Sequence, residues 1–313
     1  MIRLYLLGQK GLECLEKLKS EHLSSISDIV VGQDKNVIND YSNEIHSLAQ
    51  KLSLAAFPRD LEEENLNIKL KVAIGWKWII HPAKNLLVFH DSILPKYRGF
   101  NPLVTALING DTEIGATVIE GDDDYDIGHI VKQEKIDISY PLKVKDAIDK
   151  LAILYSTLLN EVLADFKRKE LVSYPQDEKL VSYSLWRDEN DYEIDWSQSA
   201  IEIKRFIDAV GSPYRGAKTK HDDKWIRVFD AVLKEDVVIA NRTPGKVIFK
   251  KQGVYYIVCG IGLLGIEDFY DDLGNSKLAL EYYNKSKNIQ LKNFNKKFNL
   301  FFSLLHLSIS QTL

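Results

Sequence analysis

Apolar residues 2–7 form a short run broken by Gly8, and a helical stretch follows over 11–19, where Leu12, Leu15 and Leu18 recur at near-helical spacing. Residues 26–31 are the next buried strand, closed by Gly32. A helix is predicted over 45–52, with Ile45, Leu48, Ala49 and Leu52 on one face. Residues 69–76 and 85–90 are two further strands joined by a short polar segment. Strands alternating with helices through short links predict an α/β, doubly wound, Rossmann-like domain whose parallel sheet is covered on both faces. Ligands are expected at the carboxyl ends of its strands.

The pattern then changes. Residues 114–120 and 129–138 are strands bracketing an acidic loop, 121–128. A long helix is predicted over 142–167, with Ala147, Leu151, Leu154, Leu158 and Val162 along its apolar stripe. Residues 1–168 therefore form the α/β domain and 169–194 a polar linker. A smaller, mostly-β, barrel-like domain occupies 195–285. It opens with a helix over 200–210 capped by Ser197 or Ser199. Strands over 225–229, 246–249, 254–259 and 263–269 follow. The tail, 286–313, interleaves lysine and asparagine with Phe294, Phe298, Leu300, Phe301 and Phe302. That is an amphipathic helix for a membrane surface or partner, a packing or homodimer helix, or a poorly ordered end.

A chain of 313 residues suits about two domains, and 45% hydrophobic with 27% charged residues is a globular profile. A formal charge of −4 provides no overall basic field for a polyanion. Cys14 and Cys259 stand far apart, against a disulfide framework or a metal cluster. The apolar cluster at 300–309 is too short to span a bilayer. A cytoplasmic protein with no membrane span is expected.

His90 ends a buried strand at the edge where open α/β sheets place their active sites, and Asp91, Ser92, Pro95, Lys96, Arg98 and Gly99 follow in a turn. Taken alone, a histidine there is more often structural than catalytic. Asp122, Asp123, Asp124 and Asp126 crowd the acidic loop, either as a solvated turn or as a hard-cation site. The loop lacks the glutamate and spacing of an EF-hand, so no metal is expected.

Together these stretches resemble the formyltransferases that use 10-formyltetrahydrofolate. Their pattern is Asn-x-His, a SLLPxYRG-like turn, and an aspartate in Asp-x-Gly after a strand. His90, the SILPKYRG turn at 92–99, and Asp126-Ile127-Gly128 match it. DWSQSAIEIKRFIDAVGSPYRGA, 195–217, and PGKVIFKKQGVYYIVCGIGLLGI, 244–266, are similar to the family's C-terminal domain. One departure is chemical: Val88 stands where the family has its asparagine. Losing such an oxyanion donor costs about 3–4 kcal/mol of barrier. Another donor takes its place, the enzyme is slow, or the site only binds.

The resemblance implies that Asp126 accepts the amine proton and His90 handles the proton of the tetrahedral species. Gly75, Trp76, Leu86, Asp122 and Asp124 would hold the folate cosubstrate. Trp76 reads equally as ordinary core. The family's tRNA branch carries a basic loop after the second strand, but residues 32–44 here hold one lysine and several acids. The expected substrate is instead a dideoxy-amino sugar linked to a nucleoside diphosphate, for surface polysaccharide or lipopolysaccharide synthesis. Lys77, Arg98, Tyr183, Trp186, Arg187 and Tyr214, with Arg215, would bind it, because arginine suits phosphate and aromatics suit the base. The same aromatics could simply pack the domains together. Methionyl-tRNA formyltransferase and a weakened binding homologue are the alternatives.

Overall fold

The computed structural model describes residues 1–271 apart from 36, 38, 64, 222 and 223. The predicted tail at 286–313 and the end of the predicted β-rich region lie outside the described residues. In chain order the elements are β1 (Ile2–Leu6), α1 (Gly8–Glu16), α2 (Ser20–Leu23), β2 (Ile26–Val31), α3 (Ser42–Lys51), β3 (Ala55–Pro58), β4 (Leu70–Ile74), β5 (Leu86–His90) and β6 (Arg98–Gly99). Next come α4 (Pro102–Asn109), β7 (Glu113–Glu120), β8 (Ile130–Asp137), α5 (Val144–Arg168), β9 (Tyr183–Ser184) and α6 (Ala200–Val210). The chain continues through β10 (Ala217–His221), β11 (Lys224–Lys234), β12 (Val247–Lys251), β13 (Val254–Val258) and β14 (Leu263–Asp271).

Seven strands form one sheet in the order β3-β2-β1-β4-β5-β7-β8. The five from β3 to β5 are parallel, and β7 and β8 extend the sheet in antiparallel fashion. Winding runs outward from β1 to β3, then returns to β4 and proceeds the other way. The chain therefore leaves β1 and β4 in opposite directions, which opens a crevice at their carboxyl ends.

The two faces of this sheet are covered differently. Ile2, Leu4 and Leu6 point to one side and pack with Cys14 and Leu15 of α1, Ile45 and Ala49 of α3, and Tyr155, Leu158 and Val162 of α5. Tyr5, Val30, Ala73 and Leu86 occupy the other side with Ile80, Phe57, Trp76 and Val88, and no helix contributes to that cluster. The expectation of helices on both faces is corrected here. The connections 59–69 and 75–85, which cross the second face, hold no α-helix among the described residues; the first contains only the single 3-10 turn Arg59–Leu61. Polar bonds help to close it. Arg3 and Asp28 sit opposite each other on β1 and β2 and pair at 2.5 Å, while Arg3 also reaches Glu62 at 3.0 Å and the Glu63 carbonyl at 2.9 Å.

The second sheet is antiparallel, in the order β10-β11-β14-β13-β12. It is the β-rich second domain expected from the sequence, and its edges β10 and β12 are not hydrogen-bonded to each other among the described residues. Helix α6 begins in a capping box: Ser199 Oγ accepts from the Glu202 N–H at 3.3 Å, and Glu202 accepts from the Ser199 N–H at 2.9 Å. Strand β3, helix α4 and strand β10 have no counterpart in the sequence reading. No helix among the described residues is long and apolar enough to cross a membrane.

The two sheets share a core. Leu103 and Leu107 of α4, Val144, Ala147 and Leu151 of α5, and Ile203 and Ile207 of α6 join Ile226, Val228, Tyr255 and Leu264 in one apolar cluster. The segment predicted as a linker is also tied down. Tyr174 exchanges backbone bonds with Ile130, and β9 pairs with β6 in parallel. Leu151 is fully buried in the shared cluster. Leu151→Ala should cost ~2–5 kcal/mol in urea unfolding followed by tryptophan fluorescence, and both sheets should still melt in one transition. A separate, unshifted transition for the second sheet would contradict the shared core.

Candidate active site

A cavity of about 610 Å³ opens at the carboxyl ends of β1, β4 and β5. It straddles the sheet edge. Lys10, Asp91 and Tyr155 line it from the side of α1 and α5, whereas Trp76, Leu86 and Val88 line it from the opposite face. Residues 186–189 and 213–215 close it from the second half of the chain.

His90 is the last residue of β5 and is buried. Its Nε2 lies 2.8 Å from the Tyr97 carbonyl oxygen, which can only accept, so Nε2 carries hydrogen. That assignment turns Nδ1 toward Asp126, whose Oδ1 is 3.3 Å away. Asp126 adopts the left-handed conformation, with φ of 56°. Its Oδ2 accepts the Gly99 N–H at 2.9 Å, and its carbonyl accepts from Gln176 Nε2 at 2.7 Å. Gln176 also donates to the Gly128 carbonyl at 2.8 Å. A side chain at Gly128 would run into the Glu120 carbonyl, so the turn needs glycine. The histidine and aspartate singled out from the sequence thus meet in one cavity.

All five residues expected for the cosubstrate, Gly75, Trp76, Leu86, Asp122 and Asp124, line the cavity. Gly75 has φ of +64°, and a Cβ there would collide with the Leu7 carbonyl oxygen. A Cβ at Gly121 would sit 2.7 Å from Leu86. Both glycines are required by close packing against neighbouring protein atoms. The Trp76 indole stands edge-on to Tyr5 and Trp78, at 5.2 and 5.0 Å between centroids. Its Nε1 is buried without a hydrogen-bond partner, a donor left for an incoming acceptor. These features fit a folate-like ring. Val88 packs against Leu94, Ile119 and Ile130 and offers no donor.

Lys77, Trp186, Arg187 and Tyr214 line the cavity as expected for substrate residues, and Arg215 joins them. Lys77 is paired with Asp34 at 2.7 Å. Trp186 stacks edge-on to Phe100, which meets Tyr125 of the acidic loop. Arg98 and Tyr183 do not line the cavity, which corrects their assignment. Arg98 is 2% exposed, with Nε donating to Gln176 at 3.0 Å and Nη2 to Glu178 at 2.7 Å. Its charge holds the 176–178 segment against the turn. Tyr183 is exposed, and its backbone pairs with Arg98. Among the described residues no group of three or more His, Cys, Asp or Glu is placed to hold a metal ion.

The sequence reading missed Lys10, Asp91 and Tyr155. Asp91 follows His90 and so points to the other face of the sheet, where it pairs with Lys10 and accepts from the Tyr155 hydroxyl. Burial opposes ionisation of Asp91, yet the charge and hydrogen bond of Lys10 and the bond from Tyr155 hold its carboxyl below the usual range. Burial, together with Asp91, drives the Tyr155 hydroxyl well above its ordinary value. A depressed carboxylate stabilises the fold above its unfolded pKa, about 3.9, and loses that contribution as pH falls through its folded value. Lys10→Met removes the counter-charge and reverses the sign. It should cost ~3–5 kcal/mol at pH 7 and progressively less on acidification, as Asp91 takes up a proton. Urea titrations at pH 7 and pH 5 check this, and a cost independent of pH would contradict it.

Comparison with known proteins identifies this architecture. The family described as formyl transferase matches residues 70–163, from β4 into α5, and its C-terminal domain matches residues 187–286. The methionyl-tRNA formyltransferase of Clostridium novyi is 28% identical over 78% of this chain and 80% of its own length. That of Citrifermentans bemidjiense is 30% identical over 67% of each chain. The crystal structure of the N-formyltransferase from Helicobacter canadensis, in complex with folinic acid and dTDP-3-aminofucose, has the same fold. It superposes with a TM-score of 0.65 at 17% identity, covering 86% of this chain and 99% of that one. With both halves of the architecture matched in order, and the cavity lying where they meet, the chain belongs to the formyl transferase family.

Proposed function

We propose that the protein moves a formyl group from 10-formyltetrahydrofolate to the amine of a dideoxy-amino sugar linked to a nucleoside diphosphate. The observation that carries this reading is the His90–Asp126 pair, 3.3 Å apart on the lining of a cavity that reaches both faces of the sheet. One arm, at Gly75, Trp76, Leu86 and the acidic loop, suits the folate. The other joins Lys10, Asp91 and Tyr155 to Arg187, Tyr214 and Arg215, with Trp186 between the two through its Phe100 contact, which suits a sugar with a charged, aromatic-ended handle. Asp34 and Asp40 line the cavity from the segment after β2, so this approach is acidic and disfavours a phosphate polymer. The Helicobacter canadensis protein carries a ligand pair of this kind. Both substrates are intracellular metabolites, which assigns the reaction to the cytoplasm.

The chemistry needs a neutral amine, although an alkyl ammonium predominates near neutral pH. Asp126 takes one proton from the ammonium, and the freed nitrogen attacks the formyl carbon. The attacking nitrogen gives up its second proton, which His90 passes to the folate nitrogen as the carbon–nitrogen bond to the folate breaks, and the products are an amide and tetrahydrofolate. The bond from Nε2 to the Tyr97 carbonyl orients the imidazole so that its Nδ1 edge meets Asp126. No covalent enzyme intermediate is needed. With valine at position 88, the developing oxyanion relies on His90, backbone N–H groups and water.

The curated relatives favour a second reading, because those in Clostridium novyi and Citrifermentans bemidjiense are named methionyl-tRNA formyltransferase. Incubation with 10-formyltetrahydrofolate and either a panel of nucleotide-linked amino sugars or charged initiator tRNA separates the two. Formylated sugar is the expected product; formylation of tRNA alone would overturn the proposal. Asp126→Asn should lower kcat by about 10²–10⁴-fold while folate affinity, followed by fluorescence titration, stays within twofold. Unchanged turnover would remove Asp126 from its role. Val88→Asn should raise kcat by supplying the missing donor, and a fall would mean that the oxyanion is held by groups arranged around valine.

A further inference from the structure

The rim of the cavity holds an unusual charge arrangement. Lys218 of β10 and Arg227 of β11 are direct cross-strand partners, and both side chains are largely buried, at 5% and 13% exposure. Like charges placed opposite each other on adjacent strands repel. Between them and the cavity stands Glu189, on the 3-10 turn Glu189–Tyr192. Its Oε1 accepts from Arg227 Nη2 and lies 3.7 Å from Lys218 Nζ, while Oε2 lies 3.6 Å from Arg215 Nη1. Among the described residues neither Arg215 nor Lys218 has another carboxylate within 4.0 Å. Arg187, a neighbour of Glu189 on the cavity wall, has a buried Nε with no hydrogen-bond partner. Three cations thus lie within 4.0 Å of the Glu189 carboxylate, and Arg187, Glu189 and Arg215 all face the cavity.

We propose that Glu189 is a resident counter-ion that the diphosphate of the substrate replaces. The inference rests on the nucleotide-linked sugar reading above. A diphosphate carries more charge than one carboxylate and presents the oxygen pairs that guanidinium forks bind. Glu189 is 43% exposed and sits on a single short turn, so its side chain can swing toward solvent without unfolding anything. Buried Lys218 and Arg227 hold it from behind, where the backbone of a large nucleic acid could not follow. Partial burial works against the charge of Glu189, but Arg227, Lys218 and Arg215 keep its carboxyl below the usual range, so it competes with the incoming anion throughout the physiological pH range. Glu189 thereby sets how tightly the handle of the substrate is held, while the formyl chemistry proceeds elsewhere in the cavity.

Isothermal titration of the full chain with inorganic pyrophosphate, then with a nucleoside diphosphate, tests this. Glu189→Gln should tighten pyrophosphate about tenfold and steepen its dependence on salt, the scale of one competing charge-assisted hydrogen bond removed. In turnover the same change should lower KM for the amino-sugar substrate without raising kcat. Pyrophosphate affinity unchanged or weakened in a folded Glu189→Gln protein would overturn the inference, as would tightening seen with tRNA and not with pyrophosphate. Should that variant fail to fold, Arg215→Gln at the exposed rim serves instead. It should weaken pyrophosphate several-fold, and no change would likewise overturn the proposal. Tighter pyrophosphate in a protein that formylates no nucleotide-linked sugar would leave the counter-ion standing and remove the substrate reading.

Discussion

The Asp126 carboxylate holds the site together by facing two ways at once. One oxygen accepts the Gly99 N–H and the other meets His90 Nδ1. For this the residue must sit in the left-handed region, which costs an aspartate less than most side chains. The strain is retained because the surroundings leave no alternative. Gln176 grips the carbonyls of Asp126 and Gly128, and Arg98 in turn grips Gln176. A buried cation outside the cavity therefore fixes a carboxylate inside it, through one amide.

The position of the cavity follows from topology. Chains leaving β1 and β4 diverge, so Leu7 to Lys10 and Gly75 to Ile80 part and leave a crevice that reaches both faces of the sheet. Alternation along β5 does the rest. Val88 and His90 look toward the loop-covered face, whereas Asp91 looks toward α5, so neighbouring residues serve different arms of one cavity. The helix-free face is the one with the unpartnered indole nitrogen of Trp76. The shared apolar core locks the second half of the chain against α4 and α5, which sets Trp186, Arg187 and Tyr214 across from the pair.

Much of this was legible in the sequence, for identifiable reasons. Long periodic segments such as α5, and short apolar runs such as β1 and β5, announce themselves through period. The His90 turn and Asp126-Ile127-Gly128 are local motifs, and their meeting was implied by resemblance. The hidden features depend on partners distant in the chain. Lys10 and Asp91 are ordinary surface-type residues until the fold brings them together. Tyr155 lies one position beyond Leu154 in the long helix and carries no local motif, so only the fold shows that its hydroxyl meets Asp91. Arg98 was misjudged for the converse reason: a basic side chain beside the His90 turn resembles a phosphate ligand, and only packing reveals that it points at Gln176 and Glu178.

The central claim is that His90 and Asp126 act together on an amine presented from one arm to a formyl group held in the other. The most direct measurement is a crystal structure with a non-transferring formyl-folate analogue and a nucleotide-linked amino sugar bound together. The account predicts the amine nitrogen within hydrogen-bond reach of the Asp126 carboxylate, about 3.2 Å or less, with the formyl carbon on its far side and the imidazole edge alongside. An amine seated away from both groups, with the two ligands in separate, unconnected pockets, would contradict it.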